Sequence, residues 1–184
     1  MTAWSQVARR SRVPLGFAFA VLYFWLARPD LRSLLWSALM IVPGLLIRAI
    51  ASGHVRKNEE LTISGPYAYT RNPLYLGSLL IGIGFCVAAR SWWAGTVLGL
   101  MFFAIYVPVI LDEEAFLRQE FPEFEQYERQ VPRLLPRFRR GTGNSWEPTA
   151  GFSLDLYLKH REYNALLGTV AMIAALVVKM IYRR

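Results

Sequence analysis

The stretch Gly65-Pro66-Tyr67-Ala68-Tyr69-Thr70-Arg71-Asn72-Pro73-Leu74-Tyr75-Leu76-Gly77 decides how this chain is read. Gly65-Pro66 is turn chemistry, Asn72 is a favoured N-cap residue, and Pro73 suits a first helical turn. From Leu74 the sequence stays free of charge as far as Ala89. The helix predicted there turns its free N–H groups and positive dipole end toward whatever lies over the loop, which favours a polar or anionic ligand group. Arg71 and the tyrosines Tyr67, Tyr69 and Tyr75 stand at the mouth of this apolar segment.

Outward from this stretch the chain reads as an all-α membrane protein. Of its 184 residues 54% are hydrophobic and only 18% charged, and the mean hydropathy is +0.28, unlike an ordinary soluble domain. Five segments lack charged side chains and predict about five transmembrane helices: Val13–Ala27, Ser33–Ile47, Leu74–Ala89, Ser91–Leu111 and Asn164–Val178. Four are shorter than the ~20 residues of a standard span, so flanking Arg and Lys must snorkel or the bilayer must thin. Arg9, Arg10 and Arg12 give the first segment a basic front, but no small-residue cleavage site follows it, so it reads as one arm of a hairpin and not as a signal peptide.

The expected organisation is an N-terminal transmembrane hairpin over residues 1–51, a core over 52–140 with the third and fourth spans and the cofactor pocket, and a connector with a C-terminal span over 141–184. The formal net charge of +8 comes from basic residues beside apolar segments, where they meet anionic lipid headgroups and not nucleic acid. Membrane lipids are therefore the expected surroundings and partners. Cys86 lies within an apolar run, excludes an intrachain disulfide and reads as packing. With the N-terminus inside, 15 of the 21 Lys and Arg residues fall on the cytoplasmic side, which predicts N-terminus in, C-terminus out and both functional loops facing the cytoplasm. The expected location is the inner (cytoplasmic) membrane.

The loops Ser52–Tyr69 and Asp112–Tyr163 are too short for a Rossmann domain. Neither a Gly-x-Gly-x-x-Gly motif nor a phosphate-binding Lys-Ser/Thr loop occurs, and two histidines with one cysteine give no zinc spacing, so no metal is expected. A cofactor must then be held in a pocket of loops, short helices and helix ends. The second candidate segment is Asp112-Glu113-Glu114, where three acids at the exit of an apolar helix oppose its dipole unless the helix continues or cations compensate. Either Glu114 pairs with Arg118 one turn on, or Glu113 or Glu114 points into a pocket to hold an ammonium or ribose hydroxyls. Phe121–Arg129 reads as a short capped helix, and Val131-Pro132-Arg133-Leu134-Leu135-Pro136-Arg137 as an extended, rigid strap. Arg139–Thr149 reads as a flexible connector.

Glycine placement predicts that Gly95 and Gly99 in the fourth span and Gly77, Gly82 and Gly84 in the third let these two helices approach closely. A homodimer contact through Gly95 and Gly99 is the competing use. His54 reads as a loop residue beside the cofactor segment, and the cluster Lys159-His160-Arg161-Glu162-Tyr163 as an interfacial anchor.

Three elements together resemble the isoprenylcysteine carboxyl methyltransferase and phospholipid methyltransferase family of integral membrane enzymes. They are Gly-Pro-Tyr-x-x-x-Arg-x-Pro-x-Tyr at Gly65–Tyr75, the paired acids Glu113-Glu114, and Phe-x-x-Tyr with Val-Pro-Arg-x-x-Pro between Phe124 and Pro136. The resemblance covers about Ser52 to Arg137. It implies S-adenosyl-L-methionine bound at the cytoplasmic face and methyl transfer to a lipid-like, amphipathic or prenylated acceptor. Glu59, Glu60, Leu61 and Thr62 match the segment lining the cofactor, Tyr67 a motif aromatic, Asn72, Pro73, Leu74 and Tyr75 the His-Pro-x-Tyr portion, and Glu113 the first paired acid.

Asn72 stands where the family usually has histidine, and Val109 where carboxyl methyltransferases place a substrate-binding arginine. Arg71, Glu113 and Glu114 are the expected catalytic set. Arg71 suits a carboxylate or phosphate bidentately, and Glu113 or Glu114 suits proton removal from an amine acceptor. Tyrosine faces suit a sulfonium. An NADPH-dependent membrane reductase and a non-catalytic membrane adaptor are the alternatives, and the acceptor nucleophile stays open among carboxylate, amine and thiol.

Overall fold

The computed structural model describes residues 16–56, 59–137 and 151–182. The basic leader Arg9–Arg12, Lys57 and the connector Arg139–Thr149 lie outside them. Every regular element among the described residues is helical. The order is α1 (Gly16–Leu26), α2 (Leu31–His54), a 3₁₀ turn (Gly65–Ala68), α3 (Pro73–Ala89), α4 (Trp92–Met101), a π segment (Phe102–Tyr106), α5 (Val107–Glu120), α6 (Phe124–Gln130), α7 (Leu154–Lys159) and α8 (Tyr163–Tyr182).

Three helices are long and apolar enough to cross a membrane: α2, the continuous Trp92–Glu120 rod and α8, while Gly16–Leu26 and Pro73–Ala89 are shorter apolar helices. Lipid-type surface is plentiful. Trp36 and Leu39 on α2, Phe103 in the π segment and Leu167 and Ile181 on α8 are all more than half exposed. The protein is an integral membrane protein.

Three expected spans run past their uncharged segments. The second does not stop at Ile47, because α2 continues through Arg48 to His54; the Arg48 charge is met inside the protein instead of in solvent. The last covers 20 residues from Tyr163. The fourth continues past Asp112–Glu114 as anticipated from the dipole argument: its 29 residues run about 43 Å at 1.5 Å each, beyond a ~30 Å hydrocarbon core. Its wide turn has a local cause. Pro108 has no N–H to donate and its ring crowds the preceding turn, and just before it the Val107 N–H reaches back to the Phe102 carbonyl.

Asp30 starts α2 with a reciprocal cap, its carboxylate accepting from the Ser33 N–H at 2.7 Å and the Ser33 hydroxyl accepting from the Asp30 N–H at 3.1 Å. The helix then packs closely along α3. A Cβ on Gly44 would lie 2.7 Å from the Gly77 carbonyl oxygen, and one on Gly84 would lie 2.9 Å from that of Ser37. This corrects the expected pairing: Gly77 and Gly84 serve the α2–α3 contact, and only Gly82 faces the fourth span, against Leu98. Gly99 has open space around it, so the fourth-span glycines do not mediate the closest helix contact.

At one end of the bundle Tyr23, Ala27, Ala88, Ala89, Ala94 and Leu176 form a buried cluster, and the Tyr23 hydroxyl donates to the Phe85 carbonyl at 2.8 Å. The same end holds the Asp30–Arg90 ion pair. At the opposite end lie the start of α3, the exit of α5 and the strap, and there the candidate site forms.

Candidate functional site

Gly65 opens the site loop with φ +57°, and a Cβ there would lie 2.7 Å from the His54 ring, so glycine is needed both for backbone sign and for space. His54 itself is not a loop residue. It ends α2 with Nδ1 2.8 Å from the Ile50 carbonyl oxygen. The 3₁₀ turn then buries Tyr67, whose carbonyl accepts from the Tyr127 hydroxyl at 2.7 Å. Burial pushes both phenols well above the ordinary tyrosine range, with the Glu113 charge adding to it at Tyr67.

The strap, residues 131–137, lies along the loop and is stitched to it by backbone bonds. The Arg71 N–H donates to the Pro132 carbonyl and the Arg137 N–H to the Tyr69 carbonyl, both at 2.9 Å. The buried Thr70 hydroxyl donates to the Leu134 carbonyl at 3.0 Å. Proline fits here because its carbonyl is what the partner needs and its missing N–H is not.

Asn72 occupies the N-cap position of α3 but its side chain makes no capping bond. It is spent elsewhere: Nδ2 donates to Glu114 Oε1 at 3.1 Å and to the Arg133 carbonyl at 3.0 Å. Glu114 is buried, with its other oxygen 2.9 Å from the Arg133 guanidinium and 3.3 Å from Arg71 Nη1. The expected Glu114–Arg118 pair does not form, because Arg118 reaches Glu128 at 2.6 Å instead and Glu128 also meets Arg71 at 3.3 Å. Loop and strap thus converge on one carboxylate of α5, and α6 joins them through the Glu128–Arg71 pair.

Glu113, about 100° round the same helix, faces the other way. Its Oε1 accepts from the Tyr75 hydroxyl at 3.0 Å. Tyr75 stands edge-on to Tyr106 with ring centroids 5.6 Å apart, and Tyr106 stacks on Phe102. Tyr106 also lines a cavity of about 130 Å³ formed with Gly16, Phe19, Leu79, Leu98 and Ile105. The cavity therefore runs from the α1 side, between α3 and the fourth span, to Tyr106, whose ring stands against Tyr75.

Two buried polar atoms here have no hydrogen-bond partner among the described residues, Arg71 Nε and Asp112 Oδ2. The remaining expected cofactor residues take partners elsewhere. Glu60 pairs with Arg56 at 3.5 Å and Glu59 with Lys159 at 3.9 Å, and the Thr62 hydroxyl accepts from the Arg56 N–H. Pro73 and Leu74 form the first turn of α3, the Leu74 carbonyl accepting from Arg48 Nη1 at 3.3 Å.

A phospholipid methyltransferase domain matches residues 33–123, from the first turn of α2 to the start of α6. The chain belongs to the phospholipid methyltransferase family. The match takes in the Tyr75–Glu113 and Asn72–Glu114 contacts but stops short of the strap. Three curated relatives place it further. The chain is 36% identical over 144 residues to a cobalt-zinc-cadmium resistance protein, CzcN, of Cupriavidus metallidurans, covering 73% of this chain and 65% of that one. It is 37% identical over 82 residues to a nickel-cobalt-cadmium resistance protein, NccN, of Alcaligenes xylosoxydans xylosoxydans, covering 45% and 38%. It is 28% identical over 101 residues to a protein-S-isoprenylcysteine O-methyltransferase of Schizosaccharomyces pombe, covering 54% and 43%. Each match spans less than two thirds of the relative's own length. No solved structure matches the chain.

The residues that sequence reasoning missed are Arg48, Ser78, Tyr106, Glu128, Arg133 and Glu162. An arginine one position past an uncharged run is a signal for Arg48 once a helix is allowed to continue through it. The cluster around His160 points inward: His160 Nδ1 lies 3.1 Å from the Ser52 carbonyl oxygen, and Glu162 pairs with Arg48 at 2.7 Å. An interfacial anchor directed only to lipid does not describe those two residues, although Lys159 is largely exposed.

Proposed function

We propose that the chain is an S-adenosyl-L-methionine-dependent methyltransferase acting on a lipid-like or amphipathic acceptor at the membrane surface, with its site on the cytoplasmic side. The observation that carries this is the Tyr75–Glu113 contact, with Tyr75 set against Tyr106, a wall residue of an apolar cavity, in a chain of this family. The donor set fits the cofactor. The Glu113 carboxylate and the partnerless Asp112 Oδ2 are acceptors for an ammonium or hydroxyls, and Tyr75 and Tyr106 offer aromatic faces that suit a sulfonium. When bound, the cofactor supplies a methyl carbon that is already electrophilic.

The protein's task is therefore positioning and exclusion of water. Glu113, oriented by Tyr75, binds the cationic end of the cofactor. Tyr106 and the cavity behind it receive the apolar part of the acceptor, which enters sideways from the bilayer. Arg71 and Glu114 act by fixing the strap against the loop, since both Glu114 oxygens already have donors. Glu113 is also a carboxylate suited to take a proton when the acceptor is an amine. Among the described residues no three His, Cys, Asp or Glu side chains are grouped to hold a metal ion, and the names of the resistance-protein relatives add no chemistry to this site.

The test is transfer of labelled methyl groups from S-adenosyl-L-methionine into organic-extractable material by purified protein supplied with membrane lipids. Label above background in wild type and none in Glu113→Ala supports the proposal. Equal label in the two proteins removes Glu113 from the mechanism, and no label with any lipid class overturns it.

A further inference from the structure

Arg48 is an ionisable residue inside a membrane-type helix, six residues before the end of α2, or about 9 Å along its axis. Such residues are expensive in lipid and are retained where they meet partners that matter. Arg48 uses its whole guanidinium. Nε donates to Glu162 Oε2 at 3.0 Å and Nη2 to Oε2 and Oε1 at 2.7 and 2.9 Å, while Nη1 donates to the Leu74 carbonyl at 3.3 Å and to the Ser78 hydroxyl. Leu74 and Ser78 flank Tyr75, so the guanidinium lies against the first turn of the helix that carries the Glu113 partner. The notch for it is Gly77, where a Cβ would fall 2.6 Å from Arg48 Cγ. Both charges also reach Tyr67, the Glu162 carboxylate raising its phenol pKa and the Arg48 cation lowering it.

We propose that Arg48 and Glu162 are positioning residues for the site: Glu162 orients the Arg48 fork, and the fork holds the first turn of α3 so that Tyr75 meets Glu113. Glu162 lies just before α8, outside residues 33–123 where the family domain matches, so the C-terminal segment completes the site. A planar fork matched to a carboxylate and two further oxygens is what an ammonium group cannot reproduce. Arg48→Lys therefore keeps the charge and loses the geometry. The functional part of the inference rests on the methyltransferase proposal, whereas the structural part does not.

The experiment measures two quantities on detergent-purified full chain for wild type, Arg48→Lys and Glu162→Gln: amide hydrogen exchange by mass spectrometry, and S-adenosylhomocysteine affinity. Faster exchange confined to the first turn of α3, with affinity weakened about tenfold, the scale of one net hydrogen bond, is the expected result. Combining Glu162→Gln with Tyr75→Phe should then weaken binding by less than the product of the two single effects, as coupled residues do. Unchanged exchange in the first turn of α3, faster exchange throughout α2, α3 and α8, or fully multiplicative effects with Tyr75→Phe would each overturn the inference. Local exchange changes in a protein whose wild type binds no S-adenosylhomocysteine would leave the positioning claim standing and remove the methyltransferase proposal. Should Arg48→Lys fail to fold, Glu162→Gln, which keeps an acceptor oxygen, carries the same test.

Discussion

The Tyr75 hydroxyl donates to the Glu113 carboxylate across 3.0 Å, joining the first turn of α3 to the exit of the fourth-span helix. Removing that hydroxyl leaves Glu113 without its orienting donor while the aromatic face stays. Tyr75→Phe should therefore lower methyl transfer roughly tenfold or more, with stability falling by only ~1 kcal/mol, the net value of one hydrogen bond. Initial rates and denaturation of the same preparation check the two effects separately.

Glu114 behaves differently because it is buried between Arg71, Arg133 and Asn72. Glu114→Ala takes the carboxylate partner from Arg133 and one of two partners each from Arg71, which keeps Glu128, and Asn72, which keeps the Arg133 carbonyl; the cost stays below the ~3–5 kcal/mol of a fully buried pair broken from one side. The expected result is faster tryptic cleavage after Arg133 or Arg137 as the strap lifts. Glu114→Gln, which keeps one acceptor for Asn72, should be intermediate.

Helix packing predicts a contrast between two glycines. Gly77→Ala places a Cβ against Arg48 and the Gly44 carbonyl oxygen, an overpacking of the kind that costs ~1–3 kcal/mol. Gly99→Ala meets nothing within 4 Å and should stay within about 0.5 kcal/mol of wild type. Thermal unfolding in one detergent compares them directly.

Much of this organisation is legible in the sequence. Uncharged runs mark the helices, Asn72-Pro73 marks the start of α3, and the acids at 112–114 call for a helix that runs on or for compensating cations. What stays hidden is partnership across distant segments. Glu114 and Arg118 have the spacing of a helix pair, yet 19 residues separate Glu114 from the Arg133 it meets at 2.9 Å, and 114 separate Arg48 from Glu162. Only the fold brings such residues together. The glycine pairing misleads for the same reason. Several helix faces carry small residues, and only the fold shows that Gly44, inside the second uncharged run, is the one set against Gly77.

The buried phenols set a pH dependence. Tyr67 and Tyr127 have folded-state pKa values raised by burial, so each contributes stability that is fully present below the ordinary value of 10.0 and is lost as pH rises above it. In that range the unfolded chain releases protons that the folded chain keeps. Melting temperature should fall from pH 9 upward, and Tyr127→Phe should fall less steeply than wild type because it has one fewer such group. Parallel slopes for the two proteins would place the alkaline loss elsewhere.

The most direct test of the central claim is calorimetric titration of detergent-purified protein with S-adenosylhomocysteine, comparing wild type with Glu113→Ala and Tyr75→Ala variants shown to be folded. Saturable one-site binding in wild type, lost in both variants, is the predicted result. Absence of binding by folded wild type in the presence of lipid, or binding unchanged by both substitutions, would contradict a cofactor site built on Tyr75 and Glu113.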